Sequence, residues 1–187
     1  NLIIRCLKMI VKFDSDSLIL DFFSGSATTA HAVMHLNAED GGKRKFIMVQ
    51  LPEVCVENSE AYKAGYKNIC EIGKERIRRA GKKIKEENPL TTQDLDIGFR
   101  VLKCDSSNME DVYFTPKEYM DKQQSLFVDN IKKDRSDEDL LFDAMLKLDT
   151  PLSSKIERIT IAGKTVYNVA QGHLMACFDK NVTDEVI

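Results

Sequence analysis

The chain has 187 residues, 43% hydrophobic and 30% charged, with a formal net charge of -3. That is enough apolar material for a packed core, and it excludes a collagen, a disordered tail and a disulfide scaffold. No apolar run approaches the ~18 residues a membrane span needs, and no secretory leader is expected, so no membrane partner is expected.

The first residue is Asn1, and an apolar stretch begins at once, so the chain reads as a piece of something longer. From Leu2 to Phe13 the apolar residues recur at helical spacing, which predicts the tail of a helix. Asp14 to Ser17 is a turn. Leu18 to Phe23 reads as a strand buried on both faces, as in a parallel sheet. Ser24-Gly25-Ser26-Ala27 is a tight loop of small residues, and Thr28 to about Asn37 is helical. Glu39 to Lys45 is a polar loop. Phe46 to Leu51 is a second buried strand that Pro52 ends. Tyr62 to Lys85 is a long basic helix, with Gly65 or Gly81 as possible breaks. Phe99 to Leu102 is a third short strand. Strand, helix, strand, helix, strand is the alternation of an α/β domain.

After Cys104 the character changes. Glu110 to Lys133 is mixed and acidic. Asp137 to Leu148 is a helix with Ser136 or Asp137 as N-cap and with Leu140, Leu141, Ala144, Met145 and Leu148 as its apolar face. Ile156–Ile161 and Thr165–Val169 form a hairpin, with Leu174 to Phe178 as a further strand. A small α+β domain is therefore expected at 105–187, after an α/β domain at 1–104.

One segment carries chemistry. Asp21-Phe22-Phe23-Ser24-Gly25-Ser26-Ala27-Thr28-Thr29 runs from a buried strand, through a small-residue loop, into a helix. Such a loop presents backbone N–H groups and a helix N-terminus at the carboxyl end of a strand, where nucleotides bind in open α/β sheets. As a bare pattern it is also an ordinary α/β turn.

The wider stretch D-F-F-S-G-S-A-T-T-A-H-A-V-M-H-L-N, continuing through V-Q-L-P-E to Glu53, resembles the methyl-donor motif of the DNA adenine methyltransferases of type III restriction–modification systems, their modification (Mod) subunit. The likeness continues at Ala64–Ile69, Glu75–Ala80, Gly98–Leu102, Asp105–Asn108, Leu140–Phe142, Gly163–Tyr167 and Ala176–Asp179. It implies a Rossmann-like fold and a protein that moves a methyl group from S-adenosylmethionine to the N6 of adenine in double-stranded DNA, with the target base flipped out. It implies a restriction (Res) subunit and a second copy of the chain as partners, and a cytoplasmic location.

Residue by residue, the resemblance assigns the donor loop to Asp21, Phe22, Phe23, Ser24, Gly25, Ser26, Ala27, Thr28 and Thr29. Asp21 would lie near the methionyl ammonium. The backbone from Ser24 to Ala27 and the hydroxyls of Thr28 and Thr29 would surround the carboxylate. Gln50 would stand where many relatives place the acid that holds the ribose hydroxyls. Asn1 to Ile10 resembles the end of the helix that covers the methionine. Two departures stand out. Ala27 occupies a position that is Gly in the family, and a positive φ there would favour Gly. The family's catalytic Asp-Pro-Pro-Tyr precedes the donor loop, and these 187 residues contain no Pro-Pro pair. The rival expectation is a scaffold or dimerisation remnant that no longer binds the donor.

Other candidates have plainer readings. His31 and His35 sit four apart on one helix, either as a metal pair or as surface and packing residues. Between residues 63 and 85 nine Lys or Arg face only Glu71 and Glu75, either as a DNA-phosphate contact or as a solvated helix face. Cys6, Cys55, Cys70, Cys104 and Cys177 are odd in number and none is spaced as CxxC, so free thiols are expected.

Overall fold

The computed structural model describes residues 2–11, 16–110 and 130–186. Half of the expected turn at Asp14–Ser17 and most of the acidic stretch from Glu110 to Lys133 lie outside them, as does Phe13. The chain divides into two compact units, one ending at Phe99 and the other starting at Arg100.

The first unit runs α1 (Leu2–Ile10), β1 (Leu18–Asp21), α2 (Thr28–Asp40), β2 (Lys45–Met48), α3 (Glu60–Lys63) and α4 (Ile69–Glu87). β1 and β2 are parallel, with Leu18 opposite Lys45 and Asp21 opposite Met48. Parallel neighbours need a crossover, and α2 supplies it. Ala27, Ala30 and Met34 pack against Ile77, Ala80 and Ile84 of α4. Ala32, Val33 and Leu36 pack against Leu7 and Val11. The alanines let the helices approach closely, so α2 is buried along two faces and becomes the centre of the unit.

The end of α2 is tied to the start of β2. Gly41 adopts φ 71 and its N–H donates to Asn37 O at 2.9 Å. Arg44 is buried, donates to both carboxylate oxygens of Asp40, at 2.9 and 2.8 Å, and has its carbonyl bonded by Asn37 Nδ2 at 2.8 Å. A buried guanidinium requires such a partner. The bond from Arg44 holds the Asp40 carboxyl below the ordinary carboxylate range.

Two expectations are corrected in this unit, and a third is decided between its two alternatives. Leu18 and Leu20 are 60% and 59% exposed, and β1 ends at Asp21, so the strand is covered on one face only. Ile19 and Phe46 reach the α1–α2 side, and period-two alternation sends Leu18, Leu20 and Ile47 the other way. Phe99 to Leu102 is not a strand. Phe99 packs beside the α2–α4 core instead, while Val101 and Leu102 remain exposed. The basic helix breaks at Gly65, whose φ of 91 no helix accommodates, and resumes at Asn68, which caps α4. Gly81 is no break. A Cβ there would lie 2.8 Å from Ile97 Cβ, so the glycine admits the chain beyond the helix.

The second unit has α5 (Asp137–Lys147) and an antiparallel sheet of β3 (Ile156–Ile161), β4 (Lys164–Val169) and β5 (Leu174–Ala176) in that order. Ser136 and Asp139 form a reciprocal capping box on α5, with Ser136 N–H donating to Asp139 Oδ2 at 2.7 Å. Ala162 and Gly163 both take positive φ, which suits the two-residue turn between β3 and β4. Leu141 and Met145 are fully buried against Tyr167 and Val169. Leu141 and Met145 of the apolar face of α5 are thus covered by its own sheet, while Leu148 at the end of the same face is 57% exposed. Among the described residues, no helix is long and apolar enough to cross a membrane.

Candidate functional site

The segment from Asp21 to Thr29 closes on itself through short-range bonds. Thr29 Oγ1 donates to Asp21 Oδ2 at 2.6 Å, and Phe23 N–H donates to Asp21 Oδ1 at 3.2 Å. Asp21 O accepts from Val49 N–H at 2.8 Å, and Ser24 N–H donates to Val49 O at 3.2 Å, so the chain stays beside β2 past the ends of both strands. Ala27 N–H then donates to Ser24 O at 2.8 Å and α2 begins. The carboxylate is thereby held at the mouth of the loop with lone pairs still free for a cation.

Two residues take left-handed backbone. Gly25 has φ 52, with open space where a Cβ would be. Ala27 has φ 59 and ψ 39, is 3% exposed, and offers no side-chain cap to α2. Left-handed backbone costs a non-glycine residue roughly 1–2 kcal/mol. The Ala27 methyl lies 3.5 Å from where a Gly73 Cβ would sit and belongs to the core shared with Ile77 and Ala80. It faces α4.

Beside the loop is an open cleft of ≈ 250 Å³ lined by Leu20, Asp21, Phe22, Phe23 and Thr29. The Phe22 and Phe23 rings are exposed and tilted against each other, with centroids 5.2 Å apart. Gln50 lies just past β2, and its Oε1 accepts from Gly25 N–H at 2.7 Å. All ten residues singled out in the sequence therefore lie on one loop and the strand end next to it.

Sequence reading missed the residues that support the loop from below. Gly73, in the first turns of α4, brings a position 3.5 Å from Gly25 O and from Ala27 Cβ. Cys70 Sγ donates to Gln50 O at 3.5 Å. The available signal was a glycine inside a helical pattern, which costs about 1 kcal/mol against alanine and points to a close approach.

The other candidates resolve differently. Among the described residues, no group of three His, Cys, Asp or Glu is placed to hold a metal. His31 is half-buried, and burial, then the charges of Arg76, His35 and Lys83, push its pKa down. The basic residues of α4 are laced to acids on the same helix: Lys74 to Glu71 at 2.5 Å, Arg79 to Glu75 at 2.6 Å, Lys82 to Glu86 at 3.7 Å and Lys83 to Glu87 at 3.6 Å. Exposed pairs of this kind dilute the positive face and contribute little stability. The five cysteines are free.

No protein-family model matches the chain. The Salmonella typhimurium protein named type III restriction-modification enzyme StyLTI Mod subunit is 52% identical over 96 residues, 50% of this chain and 14% of that protein. The Escherichia coli EcoP15I Mod subunit is 36% identical over 124 residues, 62% of this chain and 19% of that protein. A Klebsiella pneumoniae type II methyltransferase, M.KpnI, is 49% identical over 57 residues, 30% of this chain and 14% of that protein. The chain thus spans under a fifth of the length of these curated relatives. Over about half of its length, the chain is thus similar to Mod subunits of type III restriction–modification enzymes.

Proposed function

We propose that the chain carries the methyl-donor site of a DNA adenine-N6 methyltransferase, the modification subunit of a type III restriction–modification system. The observation that carries this reading is the Asp21 carboxylate, held by Thr29 and by Phe23 N–H at the mouth of a left-handed small-residue loop beside an open cleft. These residues fit S-adenosylmethionine: a carboxylate for the ammonium, a loop backbone and Thr28 for the carboxylate end, and exposed Phe22 and Phe23 rings along the cleft. The donor supplies an electrophilic methyl group. The chain's own residues bind and orient it. Asp21 fixes the amino end, and the loop from Ser24 to Thr29, with Gln50 at its tip, surrounds the carboxylate end. Residues 1–104 act in this reading as part of a Rossmann-like domain and 105–187 as a small α+β domain. Double-stranded DNA, a Res subunit and a second Mod copy are the partners, in the cytoplasm.

A scaffold reading rests on one observation: Ala27 takes the left-handed backbone where the family's glycine would be unstrained. Calorimetric titration of the 187-residue chain with S-adenosylmethionine separates the two, since a scaffold gives no heat. The chain also holds no Asp-Pro-Pro-Tyr for the target adenine, so it should transfer no labelled methyl group to duplex DNA on its own.

A further inference from the structure

Resting on the donor-site reading, we propose that Gln50 is a positioning residue. It holds the donor loop in its binding shape through the Gly25 amide and does not serve as the acceptor for the donor's ribose hydroxyls.

Gly25 is the conformationally free point of the loop. Its φ is 52, and no atom lies within 4 Å of where a side chain would begin, so packing at that point does not hold it. A glycine released from restraint populates many backbone states. The restraint is the hydrogen bond from Gly25 N–H to Gln50 Oε1 at 2.7 Å. The other end of the Gln50 amide donates to Leu51 O at 3.2 Å, which fixes the orientation of the side chain. The Gln50 carbonyl in turn accepts from Cys70 Sγ at 3.5 Å, so its backbone is anchored to the first turn of α4. The same helix passes so close at Gly73 that a Cβ added there would lie 3.5 Å from Gly25 O. The loop is thus gripped between α4 below and Gln50 at its tip.

Charge explains why an amide suits this role. A carboxylate at 50 would accept the same N–H. It would also set a negative charge beside a loop that is to receive the donor's own carboxylate, and like charges repel. A neutral amide holds the loop without that repulsion. The Gly25 N–H, being spent on Gln50, is also unavailable to the ligand. The loop's anion-binding capacity therefore falls to the remaining backbone and to Thr28.

The test uses the full 187-residue chain with Gln50→Leu and Gln50→Glu, and two readouts. The first is amide hydrogen exchange at Gly25 in the ligand-free protein. The second is the dissociation constant for S-adenosylmethionine by calorimetry. Gln50→Leu should speed Gly25 exchange by about tenfold or more and weaken the donor by about tenfold. Gln50→Glu should keep Gly25 protected, because the carboxylate accepts the same N–H, and should weaken the donor by about threefold through like-charge repulsion. Unchanged Gly25 exchange in Gln50→Leu overturns the proposal. So does a tenfold tighter donor in Gln50→Glu, because a charged acceptor strengthens a direct ribose bond. If Gln50→Leu does not fold, Gln50→Glu decides by the same two criteria. A wild-type chain with a protected Gly25 that binds no S-adenosylmethionine contradicts the donor-site reading, while the exchange result still supports the clamp.

Discussion

The Thr29 hydroxyl donates to the Asp21 carboxylate at 2.6 Å, joining the last residue of β1 to the first turn of α2 across the loop between them. The bond orients a carboxylate that also lines the open cleft. Thr29→Val keeps the shape and removes the donor. It should lower stability by about 1 kcal/mol, read from a denaturant midpoint, and weaken S-adenosylmethionine several-fold by freeing Asp21 to rotate. Equal affinity in the variant would show that Asp21 needs no such support.

Ala27 sets two effects of similar size against each other. Ala27→Gly relieves left-handed strain of roughly 1–2 kcal/mol. It also empties a buried methyl position worth about 0.8 kcal/mol and adds glycine's unfolded-state freedom, about 0.5–1 kcal/mol. The two sides nearly cancel, so the melting temperature should move little. The methyl faces Gly73 and the α2–α4 core, so the strain is borne in folding and donor affinity should stay within about twofold. A tenfold gain in affinity would show that the methyl crowds the ligand after all.

Gly81→Ala would be stabilising on helix propensity alone, by about 1 kcal/mol. The new Cβ would lie 2.8 Å from Ile97 Cβ and 3.1 Å from its Cγ2, atoms next to the backbone that cannot rotate away. Overpacking of this sort costs about 1–3 kcal/mol, so the variant should be the less stable protein in chemical denaturation. A more stable variant would mean that the segment after α4 is not held there.

Much of the first unit was legible because its signals are local. Hydrophobic runs of strand length, a small-residue loop and alanines at helical spacing specify β1, α2 and β2, and the loop residues are contiguous with them. What was not legible depends on neighbours. Leu18 and Leu20 look buried in sequence, yet burial is decided by whether another layer lies on their face. Phe99 to Leu102 has strand-forming residues, but Phe99 is taken by the α2–α4 core. Gly73 and Cys70 are fifty residues of chain from the loop's start in composition terms alone, and only the α2–α4 packing brings them beneath it.

His31 gives stability a pH dependence of defined sign. Burial and the charges of Arg76, His35 and Lys83 lower its folded-state pKa below the ordinary 6.5. The unfolded chain therefore takes up the proton first as the pH falls. Stability should decline as pH drops through about 6.5 towards the folded-state value and level off below it. His31→Gln should remove that step from a series of melting curves. An undiminished step would assign it to another group.

Leu141 is fully buried against the sheet of its own unit. Leu141→Ala should cost about 2–5 kcal/mol. Leu141→Asp should open the second unit, seen as lost exchange protection across β3 to β5, rather than dissociate a dimer of folded chains. A variant that keeps that protection while changing sedimentation would instead put Leu141 at an interface between chains.

The donor site is tested most directly by calorimetric titration of the wild-type chain and Asp21→Asn with S-adenosylmethionine. One donor per wild-type chain is expected, with affinity reduced at least about tenfold in Asp21→Asn, since the substitution removes the charge facing the ammonium and leaves the fold intact. No binding by the wild-type chain, or equal binding by both, would contradict the assignment of Asp21 to Thr29 as the donor loop.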